Sequence, residues 1–206
     1  MFLLEKESKY PSITLKGAID MDECEMISAD FDELSDSEVL VLLLMGEDKP
    51  ILKTRLQKLS LLYHELYDSE NNTTDHHAYF FGGYSDDIDE SATNLTDKGI
   101  IDEGKNGYSL TEYGVKLRQF FLDEYEDVEQ IHRLEKIKTA VSLIPDRNLV
   151  GLTYRFYSKS AQNSTIRSSV EKMNSVSSYD GIALNEYPLK QFEQKLRDGE
   201  IIRRGR

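Results

Sequence analysis

Gly99-Ile-Ile-Asp-Glu-Gly-Lys-Asn-Gly-Tyr-Ser-Leu-Thr111 is the stretch that decides the fold. Two short β-prone runs flank a Gly-Lys-Asn-Gly centre, and a tight glycine-bearing turn between such runs is the short-range signal of a hairpin. Just before it, Ile88, Ala92 and Leu95 recur at four- and three-residue spacing. That spacing predicts a helix from about Ser85 to Thr96, which Lys98-Gly99 ends. Further upstream, Leu56, Leu59, Leu62, Tyr63 and Leu66 form a second stripe, predicting a helix over about 53–67. Before that, Glu38-Val-Leu-Val-Leu-Leu-Leu-Met45 is apolar on every side, so it reads as a buried helix capped by Ser35 or Ser37 and stopped at Gly46. Lys49-Pro-Ile-Leu52 is extended, because the residue before proline avoids the helical region. Helix, extended piece, helix, helix and hairpin is the order of a winged helix-turn-helix. The expected fold is therefore mainly α: a winged helix-turn-helix over 35–114 with a small β-hairpin wing and a helical C-terminal region over 115–206.

The flanking regions differ in charge. The chain of 206 residues carries a formal net charge of −13. Residues 1–130 hold 11 Lys/Arg against 30 Asp/Glu, a net of −19, and residues 131–206 hold 14 against 8, a net of +6. Residues 1–34 read as an acidic N-terminal segment. From Asp20 to Glu38 there are nine acidic residues and no basic ones, consistent with an acidic helix, a docked arm or a solvated surface. After the hairpin, Leu117, Phe121, Tyr125, Val128, Ile131, Leu134, Ile137, Val141 and Ile144 recur about every 3.4 residues, near the 3.5-residue period of a coiled-coil seam. Such a stripe needs a covering surface, and a homodimer through 115–144 or the chain's own C-terminal helices would supply it. Beyond Pro145, helices are predicted at about 146–157, 166–173 and 189–196, with a Ser-rich loop over 174–180.

Chemistry is sparse. Asp75-His-His77 is the only histidine cluster, and no cysteine or further histidine stands at ligand spacing, so no metal is expected. Cys24 lies among carboxylates that disfavour a thiolate. No Walker loop, dinucleotide fingerprint or Gly-x-Ser-x-Gly elbow is present, so no cofactor and no enzymatic activity are expected. A single cysteine, no apolar run of membrane-spanning length and no signal-peptide pattern at Met1–Leu4 point to the cytoplasm.

The helix that would enter a DNA groove carries Asp86, Asp87, Asp89 and Glu90, with Asp97 at its end. Carboxylates there repel phosphate, so a protein partner ranks above nucleic acid. The expected partner-binding residues are Leu56, Leu59 and Tyr63 with Asp86, Asp87, Asp89 and Glu90. The competing reading is a DNA-binding transcription regulator using Lys53, Arg55, Lys58, Lys105, Arg203 and Arg204.

Lys53-Thr-Arg-Leu-Gln-Lys-Leu-Ser-Leu-Leu-Tyr63, Phe80-Phe-Gly-Gly-Tyr-Ser85, Gly99-Ile-Ile101, Tyr108-Ser-Leu-Thr-Glu-Tyr-Gly114 and Leu149-Val-Gly-Leu-Thr-Tyr-Arg-Phe-Tyr157 with Asn163-Ser164 together resemble a family pattern. It is similar to the YwgA-like proteins and the related antitoxin-type domain called Panacea (antitoxin SocA-like), over about residues 36–170. Gly83 stands where that family usually has proline. The resemblance implies a winged-helix, non-enzymatic protein, some of whose relatives bind a partner protein as antitoxins; it supplies no catalytic residues.

Overall fold

Helix α2 (Asp36–Leu44) sits at the centre of the molecule because it has no polar face to leave in water: Glu38 and every residue from Val39 to Leu44 are buried. Its start is a capping box. Ser35 Oγ accepts a hydrogen bond from the Glu38 amide, and Glu38 Oε2 accepts one from the Ser35 amide at 2.8 Å. The other oxygen of the buried Glu38 meets Lys98 Nζ at 3.0 Å. The computed structural model that defines this architecture describes residues 21–46, 49–68, 76–79, 82–124, 128–157 and 165–205.

Around α2 pack α3 (Lys53–Tyr63), α4 (Asp86–Asp97), α5 (Glu112–Glu124) and α6 (Val128–Ala140). Among the described residues, three two-stranded antiparallel hairpins complete this mainly helical fold: β1 (His77–Tyr79) with β2 (Gly82–Tyr84), β3 (Ile101–Gly104) with β4 (Gly107–Leu110), and β5 (Ser178–Tyr179) with β6 (Ile182–Ala183). The β3–β4 turn is Lys105-Asn106, as its sequence predicts. Ile51, in the piece between α2 and α3, exchanges both backbone hydrogen bonds with Tyr108 of β4, at 2.8 and 2.9 Å. Gly107 makes that approach possible. Its φ is +101°, and a Cβ there would lie 2.1 Å from the Ile51 carbonyl oxygen.

Helix α3 follows the predicted stripe, with Leu56, Leu59, Leu62, Tyr63 and Leu66 all buried. It runs on as a π-helical turn at His64–Asp68. Its other side is buried too, including Gln57, Lys58, Ser60 and Leu61, because β2 and α7 (Asp146–Phe156) pack against it. Ala78 and Tyr79 lie in β1, and Phe80 and Phe81 fall outside the described residues. The acidic segment contains helix α1 (Met21–Asp32), which docks on α5. Ile27 is buried, Phe31 packs on Phe120 and Phe121 at ring distances of 5.8 and 4.7 Å, and the Tyr113 hydroxyl donates to Asp30.

Most of the apolar stripe over 115–144, the expected dimer seam, is covered from within the chain. Leu117, Phe121, Leu134, Ile137, Val141 and Ile144 are all buried in a single copy. Helix α5 packs on α1, α2 and β4, while α6 packs on α2, α3 and α9 (Leu189–Asp198). Val128, in the same stripe, is 52% exposed and Ile131 is half-buried; Tyr125 lies outside the described residues.

The C-terminal region adds α8 (Arg167–Val176), set tightly against α7. A Cβ on Gly151 would lie 2.4 Å from Met173 Cε and 2.7 Å from Asn174 Oδ1, and Asn174 Nδ2 donates to the Gly151 carbonyl at 3.3 Å. The predicted loop over 174–180 is instead the end of α8 followed by β5. Asp180 at φ 50° and Gly181 at φ 78° turn the chain into β6, two consecutive left-handed residues as in a type I′ hairpin. Arg204 bridges Tyr179 from the chain end, and the Ile202 amide donates to the Ala140 carbonyl at 2.9 Å. Among the described residues, no helix is long and apolar enough to cross a membrane.

Candidate functional site

The expected partner-binding residues fall into two groups. Leu56, Leu59 and Tyr63 are core, at 1%, 2% and 6% exposure, so they cannot meet a partner. The apolar stripe that nominated them is satisfied by α2, α6 and α7. The acidic residues are at the surface. Ser85 caps α4, its Oγ accepting from the Ile88 amide at 3.3 Å, and Ile88, Ala92 and Leu95 bury the inner face. That register turns Asp86, Asp87 and Glu90 outward, where all three are exposed. Carboxylates in the first turn also suit the partial positive charge of the helix start.

Asp89 differs from its neighbours. It is partly buried, accepts from Tyr84, and is paired with Lys53. Burial pushes its carboxyl upward, but the Lys53 ammonium and Tyr84 hydroxyl outweigh that and hold it below the ordinary carboxylate range. For Tyr84, burial and then the Asp89 carboxylate push the phenol well above its ordinary value. The Tyr84 ring stacks obliquely on Tyr79 at 4.9 Å and meets His77 at 5.9 Å. The start of α4 is therefore anchored to both β2 and α3, and its outer carboxylates stand on a rigid base.

The cationic residues expected for nucleic acid do not form one surface. Lys53 is committed to Asp89. Arg55 joins α3 to the α6–α7 junction: Nη1 donates to the Ile144 carbonyl at 3.0 Å and to Asp146 at 2.8 Å, and Nη2 donates to the Val141 carbonyl at 2.8 Å. Lys58 is 2% exposed and donates to the Gly83 carbonyl at 2.7 Å. Arg55 and Lys58 are thereby corrected from candidate phosphate contacts to internal ties, while Lys53 stays at the surface in its ion pair. Lys105 at the hairpin tip, Arg203 and Arg204 are exposed, but Lys105 stands on β3–β4 beside the exposed Asp102 and Glu103, while the two arginines stand on the strand that joins β5.

Of the histidine cluster, His76 lies 3.3 Å from Ser60 Oγ and its ring is 5.3 Å from that of His64. His77 instead faces Asp86 at 3.9 Å. Asp75 lies outside the described residues, and among those described no group of three or more His, Cys, Asp or Glu is placed to hold a metal ion. Sequence reasoning passed over Arg147 and Lys172, which open onto a hollow beside Arg204. The only signal pointing there was the +6 balance of residues 131–206, which does not say which cations converge. Searches against family models, curated proteins and solved structures find no match for this chain.

Proposed function

We propose that this chain is a non-enzymatic winged-helix protein that recognises a cationic protein partner through the outer face of α4, in the manner of an antitoxin-type adaptor. The winged-helix reading is supported by the order α2, Ile51, α3, α4, β3–β4, with Ile51 bridged to Tyr108 at the base of the wing. It departs from the simplest version in one respect. The β1–β2 hairpin lies in the chain between α3 and α4, where a helix-turn-helix usually has a turn of about three to four residues.

One observation carries the functional reading. Asp86, Asp87 and Glu90 are exposed on the helix that would face a groove, while Lys98, the nearest cation in sequence, is paired with Glu38, Lys53 is paired with Asp89 and Lys58 is buried. At a separation of about 6 Å in water, each carboxylate would repel a phosphate by roughly 0.7 kcal/mol before screening. Three of them oppose DNA by about 1–2 kcal/mol once salt is present. The same field draws in a basic protein face and speeds encounter with it.

The test is site-specific photo-crosslinking in cells of the source organism, with the probe at position 87 or 90 and a control probe at Leu143. A discrete protein adduct from 87 and 90, absent from 143 and lost when the other two acids are changed to lysine, supports the proposal. Adducts to nucleic acid, or a protein adduct indifferent to the charge change, overturn it.

A further inference from the structure

We propose that the hollow between the start of α7, the outer side of α8 and the C-terminal strand is a binding site for a small organic phosphate. Arg147 from α7, Lys172 from α8 and Arg204 from the strand beside β5 converge on a space of about 530 Å³, together with Ser169 and Ser177. That is the size range of small-molecule sites, roughly 300–1,000 Å³. In a chain of net charge −13, no described carboxylate lines it. The nearby acids are already engaged: Asp146 with Arg55 and Glu171 with Arg167.

The cations have no such engagement. Among the described residues, Arg147 and Lys172 make no ion pair or side-chain hydrogen bond, and Arg204 joins β5 through its backbone. Ser169 and Ser177 lie on the same wall, Ser177 at 7% exposure. Three cations with no carboxylate among them, beside two serine hydroxyls, make a donor set suited to an anion. Arg147 and Asn148 bring the start of α7 to the same wall, and the partial positive charge of that helix end adds to the field.

The class of ligand follows from what adjoins. Sharing Arg147, Ser169 and Met173, a second hollow of about 260 Å³ runs between α7 and α8, lined by Val150, Ile166 and Val170. Apart from Arg147 and Ser169 its lining is apolar. A phosphate ester would therefore place its anionic group among the three cations and its apolar group between the helices. A concave basin backed by an apolar slot suits a small molecule rather than a duplex, which needs a continuous ridge of cations.

Titration with 1-naphthyl phosphate, followed by calorimetry and by the fluorescence of the naphthyl group, tests this directly. Naphthyl phosphate is expected to bind about tenfold or more tightly than inorganic phosphate, since burying an apolar group of that size contributes on that scale. Lys172→Glu and Arg204→Glu are each expected to weaken it at least about tenfold, the usual worth of a charge-assisted contact. Ser177→Ala should weaken both probes, and Ile166→Ser should weaken naphthyl phosphate while leaving inorganic phosphate unchanged. The three cations are exposed, so these variants should keep the wild-type melting profile; Lys172→Gln and Arg204→Gln repeat the test with a smaller change. Absence of binding at millimolar ligand, wild-type affinity in the glutamate variants, or displacement of naphthyl phosphate by a short DNA duplex at lower concentration would each overturn the assignment.

Discussion

Replacing Lys58 with methionine exposes the most unusual electrostatic feature of the core. The ammonium is 2% exposed and donates to the Gly83 carbonyl. Burial pulls its pKa down from 10.5 to about 8. Below pH 8 the folded chain holds a charge it would rather release, at a cost of about 3 kcal/mol. Between about 8 and 10.5 the unfolded chain holds a proton that the folded chain has lost, so stability rises with pH across that window. From pH 7 to pH 10 the gain from this group is about 2.5 kcal/mol. Methionine fills nearly the same volume and removes the charge, but it leaves the Gly83 carbonyl without its donor, which costs about 1–3 kcal/mol. At pH 7 Lys58→Met is thus expected to equal wild type or exceed it by up to about 2 kcal/mol. Urea denaturation of both proteins at pH 7, 8, 9 and 10 gives the comparison, because the difference between them cancels every other titration. Wild type should gain about 2.5 kcal/mol on the variant over that range. A difference that stays flat with pH would refute the reasoning, since it would mean that the lysine charge is solvated in the folded protein.

Further outcomes follow from the packing. Gly114→Ala places a Cβ 2.0 Å from the Ile100 carbonyl oxygen and should cost about 2–3 kcal/mol in chemical denaturation, whereas Gly46→Ala, which meets nothing within 4 Å, should stay within about 0.5 kcal/mol. Ser35→Ala removes the α2 cap and should cost about 1 kcal/mol. Burial raises the Glu38 carboxyl, but the Ser35 amide and Lys98 outweigh it and hold its pKa below 4.5; stability from this group is present above that value and lost as pH falls through the lowered one, so Glu38→Gln should flatten the acid limb of a stability–pH curve. Arg55→Met breaks three hydrogen bonds at the α6–α7 junction and should lower stability by about 2–3 kcal/mol in thermal or urea unfolding.

Much of the helical order was legible because the inner faces of α2, α3 and α4 are written at helical spacing and their ends carry caps and glycines. Ile88, Ala92 and Leu95 gave the register of α4, and with it the outward direction of Asp86, Asp87 and Glu90. The Gly-Lys-Asn-Gly centre gave the β3–β4 hairpin. What escaped was whatever depends on a second element arriving. Gln57, Lys58 and Ser60 look like the solvent side of α3, and only the docking of β2 and α7 buries them. The stripe from Leu117 to Ile144 has the period of a coiled coil, but period alone cannot tell a second copy from α1, α2, α3 and α9 of the same chain. The β5–β6 hairpin is two residues per strand, too short for alternation to show; its Asp180-Gly181 pair was the available turn signal. Arg147, Lys172 and Arg204 come from three separated segments, and no spacing rule joins them.

The most direct check on the account is a fluorescence-anisotropy titration of a labelled 25-base-pair duplex with wild type and with the triple variant Asp86→Asn, Asp87→Asn, Glu90→Gln, near 150 mM salt. Wild type should show no saturable binding through the micromolar range, and the variant should gain at most a weak, salt-sensitive increment. Tight wild-type binding that falls steeply with added salt, unchanged or weakened by neutralising α4, would contradict the claim that this carboxylate face is built to meet a protein.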